Sequence, residues 1–165
     1  MLEKKKLEFR LVSIEDSEFI LEIRKNPQLN RYISETNITV KEQIKWIEKY
    51  KQREKQKKEY YYLIIYNKIK YGTLRIYNIK NNKAVWGSWI LKPERPEGLA
   101  VFSACESFKI CFEKLGLEKI FLEVNKENLK AIYLYEKMGF KKINEDEKEI
   151  FYFLDKKTFL TYLKD

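Results

Sequence analysis

The chain contains no histidine. That absence removes Ser-His and Cys-His nucleophile schemes and histidine-ligated metals, so acid–base chemistry falls to carboxylates, tyrosine, lysine or water. Cysteine is almost as scarce: Cys105 and Cys111 are the only two. Lying within one helical pattern, they suit neither a disulfide framework nor a zinc pair and read as small core residues in a reducing compartment. No metal site is expected. With only 5 Gly and 3 Pro in 165 residues, collagen-like and low-complexity classes are excluded. No apolar run approaches the roughly 18 residues of a membrane span, and the charged opening MLEKKKLEFRLVSIED has no signal-peptide core. A soluble, cytoplasmic protein without membrane contacts is expected.

What remains is a globular composition. Hydrophobic residues make up 44% and aromatics 15% of the chain, enough to bury one substantial core, so residues 1–165 are expected to form a single domain. The formal charge of +9 would attract an anionic partner such as a nucleotide or a phosphate-bearing cofactor. The basic residues are spread along the chain, however. Their densest run, Lys49 to Tyr60, follows Ile44, Ile47 and Tyr50 at helical spacing and reads as the exposed end of an amphipathic helix and a loop. With no RNA-binding signature beside it, a basic nucleic-acid-binding module is the weaker reading, and no nucleic-acid partner is expected.

The order of elements is mixed. A strand near Leu7 to Leu11 precedes a helix opened by Ser13 to Asp16 and ended by Asn26-Pro27. After a second helix, YYYLIIYN, KYGTLRIYNI and KAVWGSWILK are β-rich runs separated by Asn67-Lys68 and Asn81-Asn82, an antiparallel meander. A helix from about Gly98 to Lys114 follows, with Val101, Ala104, Cys105, Phe108, Cys111 and Phe112 on one side. EKIFLEV is a strand, ENLKAIYLYEKM a helix stopped by Gly139, and FKKINEDEKEIFYFLD a final hairpin. The fold class is α+β, with a mixed sheet.

Two segments carry chemistry. VWGSWIL places Gly87 inside a strand, a sign of a bulge or of close approach to the backbone. The loop KPERPEG then feeds a helix whose N-terminus offers unpaired N–H groups and the positive end of its dipole, an anion site. Downstream, EVNKENLKAIYLYEKMGF sets Tyr135 seven residues after Asn128, on the same helical face.

Arg95-x-x-Gly98-x-Ala100 followed by this strand, Asn128 and LYEKMGF resembles the GNAT superfamily of acetyl-CoA-dependent N-acetyltransferases. The resemblance extends over the whole chain and implies a single domain with a central twisted mixed sheet of about seven strands flanked by about four helices. It implies acetyl-CoA as cofactor, its pyrophosphate cradled by Arg95, Gly98, Leu99 and Ala100. By the same resemblance a bulged fourth strand, Gly87 to Leu91 with Trp89, Ile90 and Leu91, holds the pantetheine arm and polarises the thioester carbonyl. Asn128 touches the cofactor arm, Tyr135 protonates the departing thiolate, and Glu123 orders a water or acts as general base. Pro96 and Glu97 depart from the family pattern, the first removing an N–H donor and the second adding negative charge beside the phosphates.

The front half of such enzymes sets the acceptor. ILEIRKNPQLNRYIS, with Arg24, Asn26 and Pro27, is similar to two groups: ribosomal-protein N-terminal acetyltransferases and enzymes that acetylate nucleotide-linked amino sugars in the pseudaminic acid pathway. Arg24, Asn26 and Trp86 are the implied substrate-binding residues. Positive charge suits an acceptor carrying pyrophosphate and repels polyamines, so direct transfer to a nucleotide-linked amino sugar is the leading expectation. A protein or peptide N-terminus is the alternative. Edge strands and surface aromatics permit a homodimer.

Overall fold

In the computed structural model, which describes residues 1–29 and 38–165, the apolar alternation of the β-rich runs closes into one sheet. Its strands are β1 (Leu7–Leu11), β2 (Tyr60–Tyr66), β3 (Ile69–Lys80), β4 (Lys83–Leu91), β5 (Lys119–Asn125), β6 (Lys141–Glu145) and β7 (Glu149–Asp155), in the order β1-β2-β3-β4-β5-β7-β6. Every neighbouring pair is antiparallel except β4 and β5, which are parallel.

Five α-helices flank the sheet among the described residues: α1 (Ser17–Lys25), α2 (Val40–Lys55), α3 (Leu99–Lys109), α4 (Leu129–Lys137) and α5 (Lys156–Lys164). Their starts follow from local chemistry. Thr39 accepts the Glu42 N–H at 3.2 Å while the Glu42 carboxylate reaches back, boxing the start of α2. Asp155 accepts the Thr158 N–H at 2.8 Å to open α5. α5 is the fifth helix where about four were expected. It follows β7 without an intervening turn signal, and its main anchor is Phe159, fully buried against Phe108 and Phe112.

Strand alternation divides the interior in two. Tyr62, Ile64, Leu74, Ile76, Trp86, Ile120, Leu122 and Tyr152 pack with α3, the π-helical turn that continues it (Ile110–Lys114), α4 and α5 through Phe108, Phe112, Tyr135 and Phe159. On the opposite face Tyr61, Leu63 and Ile65 pack with Ile20, Ile47 and Tyr50 of α1 and α2. Each large apolar side chain so buried stabilises the fold by about 1.5–3 kcal/mol before entropy is counted.

The feature that makes room for a site is the contact between β4 and β5. They pair only over Lys83–Val85 and Lys119–Phe121. Beyond that, among the described residues, β4 bonds β3 alone and β5 bonds β7 alone, so the parallel strands part and leave backbone groups along the β4 edge facing β5 without a strand partner there. On its other edge β4 is held tightly to β3. A Cβ on Gly72 would sit 1.8 Å from the Ile90 carbonyl oxygen, a contact only glycine allows.

Candidate active site

The loop after β4 builds an anion-competent helix start. Gly98 is left-handed, with φ 84°, and no side chain among the described residues caps α3. The Leu99 N–H bonds Pro96 O at 3.2 Å and the Phe102 N–H bonds Gly98 O at 3.0 Å, which leaves the Ala100 and Val101 N–H groups without a partner among the described residues. Leu99 is fully buried and pins this end of α3 into the core. Arg95 is exposed and donates from Nη1 to Lys92 O at 2.9 Å, bracing the loop. Glu97 is exposed, makes no hydrogen bond or ion pair among the described residues, and leaves the helix N-terminus to its N–H groups.

The bulge expected in β4 is present, and the residue that makes it is Ser88 rather than Gly87. Arg75 pairs with Gly87 and Thr73 with Ile90, so Ser88 and Trp89 together oppose Leu74. Ser88 is left-handed, with φ 50°, whereas Gly87 is not. The extra residue keeps Trp86 and Trp89 on the α3 face, their ring centroids 5.2 Å apart. Trp89 Nε1 is buried and has no hydrogen-bond partner among the described residues, on the stretch of β4 that no longer pairs with β5. Ile90 and Leu91 are buried and carry the ladder back to β3.

α4 supplies two of the expected residues. Asn128 is the N-cap: its side-chain oxygen accepts the Ala131 N–H at 3.3 Å, and its amide NH2 has no partner among the described residues. Tyr135 is 6% exposed and packs against Trp86, Trp89 and Phe140 at 6.0, 6.4 and 5.5 Å. Its hydroxyl makes no hydrogen bond among the described residues, and burial pushes its pKa well above the ordinary tyrosine value. It is therefore a neutral donor throughout the working pH range.

Trp86, expected at an acceptor pocket, lies in the core: it is 1% exposed, and its indole N–H donates to Ser107 Oγ at 2.9 Å. Trp86 supports Trp89 and Tyr135 from below and has no free surface of its own.

The opposite face holds the remaining residues. Glu123 is exposed on β5, pointing away from the buried Leu122 and Val124, and therefore sits across the sheet from Tyr135. Burial, and after it the charges of Glu123 and Asp146, raise the pKa of the Glu149 carboxyl. Arg24 lies beside the fully buried Tyr61 hydroxyl with Thr73. Asn26 ends α1, its side chain accepting the Gln28 N–H at 2.9 Å to make a turn. The polar loop that follows, 30–37, lies outside the described residues.

One cluster on this face escaped the sequence reading. Glu59, 4% exposed, accepts from Arg53 Nε at 2.9 Å and from Arg75 Nε at 3.2 Å. The Arg53 and Arg75 guanidinium groups each lie 5.3 Å from the Trp46 ring, and Arg75 lies 4.2 Å from the Tyr77 ring. Arg53 and Glu59 stand in the charge run read as solvated, and the one available signal was a carboxylate placed at the start of an otherwise apolar strand. Within reach of the splayed strands, the arrangement can hold an anion at α3, donate backbone and indole N–H groups in the cleft, and donate a hydroxyl from Tyr135.

Comparison with known proteins agrees with this geometry. Residues 6–141 match the acetyltransferase (GNAT) domain family, and the chain belongs to that family. It is an acyltransferase, and acetyl-CoA is its cofactor. The free N–H groups of Ala100 and Val101, the orphaned Trp89 Nε1 and the unpaired β4 edge fit that group. Among curated proteins the chain is similar to acetyltransferase PseH of Campylobacter jejuni subsp. jejuni serotype O:23/36 (strain 81-176), 25% identical over 139 residues, 84% of this chain and 85% of PseH. Among solved structures it resembles apo FdhC, described as a nucleotide-linked sugar GNAT, with TM-score 0.87, 37% identity and coverage of 97% of this chain and 92% of FdhC. It shares its fold with a spermidine N-acetyltransferase from Vibrio cholerae, solved with CoA and spermine, at TM-score 0.81, 23% identity and coverage of 95% and 99%.

Proposed function

We propose that the protein transfers the acetyl group of acetyl-CoA directly to the amino group of a nucleotide-linked amino sugar. The observation that carries this reading is the likeness to FdhC, a nucleotide-linked sugar GNAT, at 37% identity over 97% of the chain. The net charge of +9 agrees with it, since positive potential draws in a pyrophosphate and repels a polyamine.

Acetyl-CoA supplies an acyl group already activated as a thioester. The N–H groups of Ala100 and Val101, with Gly98 and Leu99 shaping the turn and Arg95 bracing it, bind the pyrophosphate at the positive end of α3. Trp89, Ile90 and Leu91 present the β4 edge to the pantetheine arm, and an N–H on that edge donates to the acyl oxygen as it gains charge. Asn128 offers its free amide NH2 to the same arm. Tyr135 donates its hydroxyl hydrogen toward the sulfur as negative charge develops there. The amine loses its proton on the other face of the sheet, where Glu123 accepts it directly or through water. Arg24 and Asn26 border the acceptor. Placing the two proton movements on opposite faces keeps the donor at Tyr135 from being consumed by the base at Glu123.

A thiol-release assay against UDP- and dTDP-linked amino sugars, N-terminal peptides and polyamines tests the reading. Turnover with the nucleotide-linked sugars is expected; turnover on N-terminal peptides with none on those sugars overturns it. Leu129 and Tyr133, exposed on α4, and the edge strand β6 support a homodimer, which light scattering in solution checks.

A further inference from the structure

Ser88 adopts a backbone conformation that residues bearing a Cβ rarely take, and it does so inside the strand that faces the cleft. Such a bulge is not self-maintaining. A slip of one residue would restore an even ladder with β3 and turn Trp89 to the opposite face of the sheet, away from Tyr135. Something must hold the register, and the contacts of Ser88 show what does. Arg75 Nη1 donates to Ser88 Oγ at 3.3 Å. The guanidinium is itself fixed: its Nε donates to the buried Glu59, which Arg53 holds from the other side, and its faces meet Trp46 and Tyr77.

We infer that Arg75 is a positioning residue for acetyl transfer: through Ser88 it holds the β4 bulge in register, and so sets Trp89 and the unpaired backbone edge at the donor's cleft. The planar fork of an arginine suits this role, because separate N–H groups satisfy Glu59 and Ser88 at once while the plane stacks on two rings. A lysine keeps the charge and cannot reproduce the geometry. The inference concerns the acetyl-transfer step common to the family, so it stands apart from the identity of the acceptor.

Thiol release from acetyl-CoA, with the amine that turns over in the acceptor panel, tests it on the full chain. Arg75→Met is expected to lower kcat at least about tenfold while the amine KM stays within about twofold. Ser88→Ala is expected to lower kcat in the same direction, and adding Arg75→Met to it is expected to cost little more, because both changes remove one contact. Ser88→Gly, which takes the left-handed conformation freely, is expected to restore most of the kcat lost in Arg75→Met. Should Arg75→Met fail to fold, Arg75→Lys carries the same comparison with the Glu59 pair kept. An acceptor-free readout runs in parallel: the change in tryptophan fluorescence on titrating acetyl-CoA should weaken in Arg75→Met and return with Ser88→Gly, so failure of the nucleotide-sugar reading leaves this test intact. An unchanged kcat overturns the inference. So does a loss that appears as a raised amine KM and persists undiminished in the Ser88→Ala background, which would make Arg75 an acceptor contact.

Discussion

The two faces of the sheet are built by different physics. The face under α3 and α4 is dry and aromatic: Trp86, Trp89, Phe108, Tyr135 and Phe140 meet ring to ring, with centroids 5.0 to 6.4 Å apart. The face under α1 and α2 carries buried charge: Asp16 holds Arg10 and Lys70, and Glu59 holds Arg53 and Arg75. A low-polarity face keeps Tyr135 neutral and strengthens every hydrogen bond made there. A charged face can receive a polar acceptor and take up its proton. The strands that part between β4 and β5 join the two, and the proposed mechanism uses the sheet to separate the chemistry of the leaving group from that of the entering amine.

The comparison breaks most readily at the aromatic core. Phe108→Ala empties the space shared by Trp86, Phe140 and Phe159 and is expected to cost about 3–5 kcal/mol, read as a fall in Tm of about 10 °C; a shift of a degree or two would mean the face is not sealed. Tyr135→Phe leaves the packing intact and is expected to lower kcat about 100-fold with Tm nearly unchanged. Because burial raises the Tyr135 pKa, wild-type kcat should show no alkaline fall from loss of this proton below about pH 10, the ordinary tyrosine value. A falling limb near pH 9 would assign the proton donor elsewhere. Trp89→Phe removes an unsatisfied buried donor, so the free protein should be as stable as wild type or slightly more so, while acetyl-CoA binding weakens about 3–10-fold by titration calorimetry. A lower Tm with unchanged binding would show that the indole N–H already has a partner.

The smallest effect belongs to the charged face. Burial pushes the Asp16 carboxyl up, but hydrogen bonds from Arg10, the Ser13 N–H and Lys70 outweigh it and hold the group below its ordinary value. The lowered pKa means that Asp16 contributes stability above about pH 4 and loses it as the pH falls further. Asp16→Asn should therefore be less stable than wild type at pH 7 and show a shallower decline in Tm between about pH 5 and pH 3. Parallel declines in the two proteins would remove Asp16 from the acid response.

The unequal legibility of the two faces has the same origin. Ile120, Leu122 and Val124 alternate, and Ala104, Phe108, Cys111 and Phe112 recur at helical spacing, so the aromatic face and the helix that follows the KPERPEG loop could be read from local pattern. Gly98 and the paired Asn128 and Tyr135 were legible as a motif for the same reason. The charged face depends on partners far apart in the chain. Arg75 meets Glu59 across 16 positions and Lys70 meets Asp16 across 54, and no local pattern encodes such pairs. Ser88 escaped because glycine is the residue expected in a left-handed bulge, and the Arg75 contact that lets a serine stand there is tertiary. Trp86 was readable as a strand aromatic, but its burial depends on Ser107 in α3, 21 residues away.

The proposed division of labour between the faces and the proposed acceptor meet in one inhibition experiment. On the proposed function, free UDP or dTDP added to the thiol-release assay should compete with the amine acceptor and not with acetyl-CoA, because that proposal puts the nucleotide of the acceptor and that of the donor on opposite sides of the parted strands. Competition against acetyl-CoA alone, or no inhibition at concentrations well above the acceptor KM, would contradict the account.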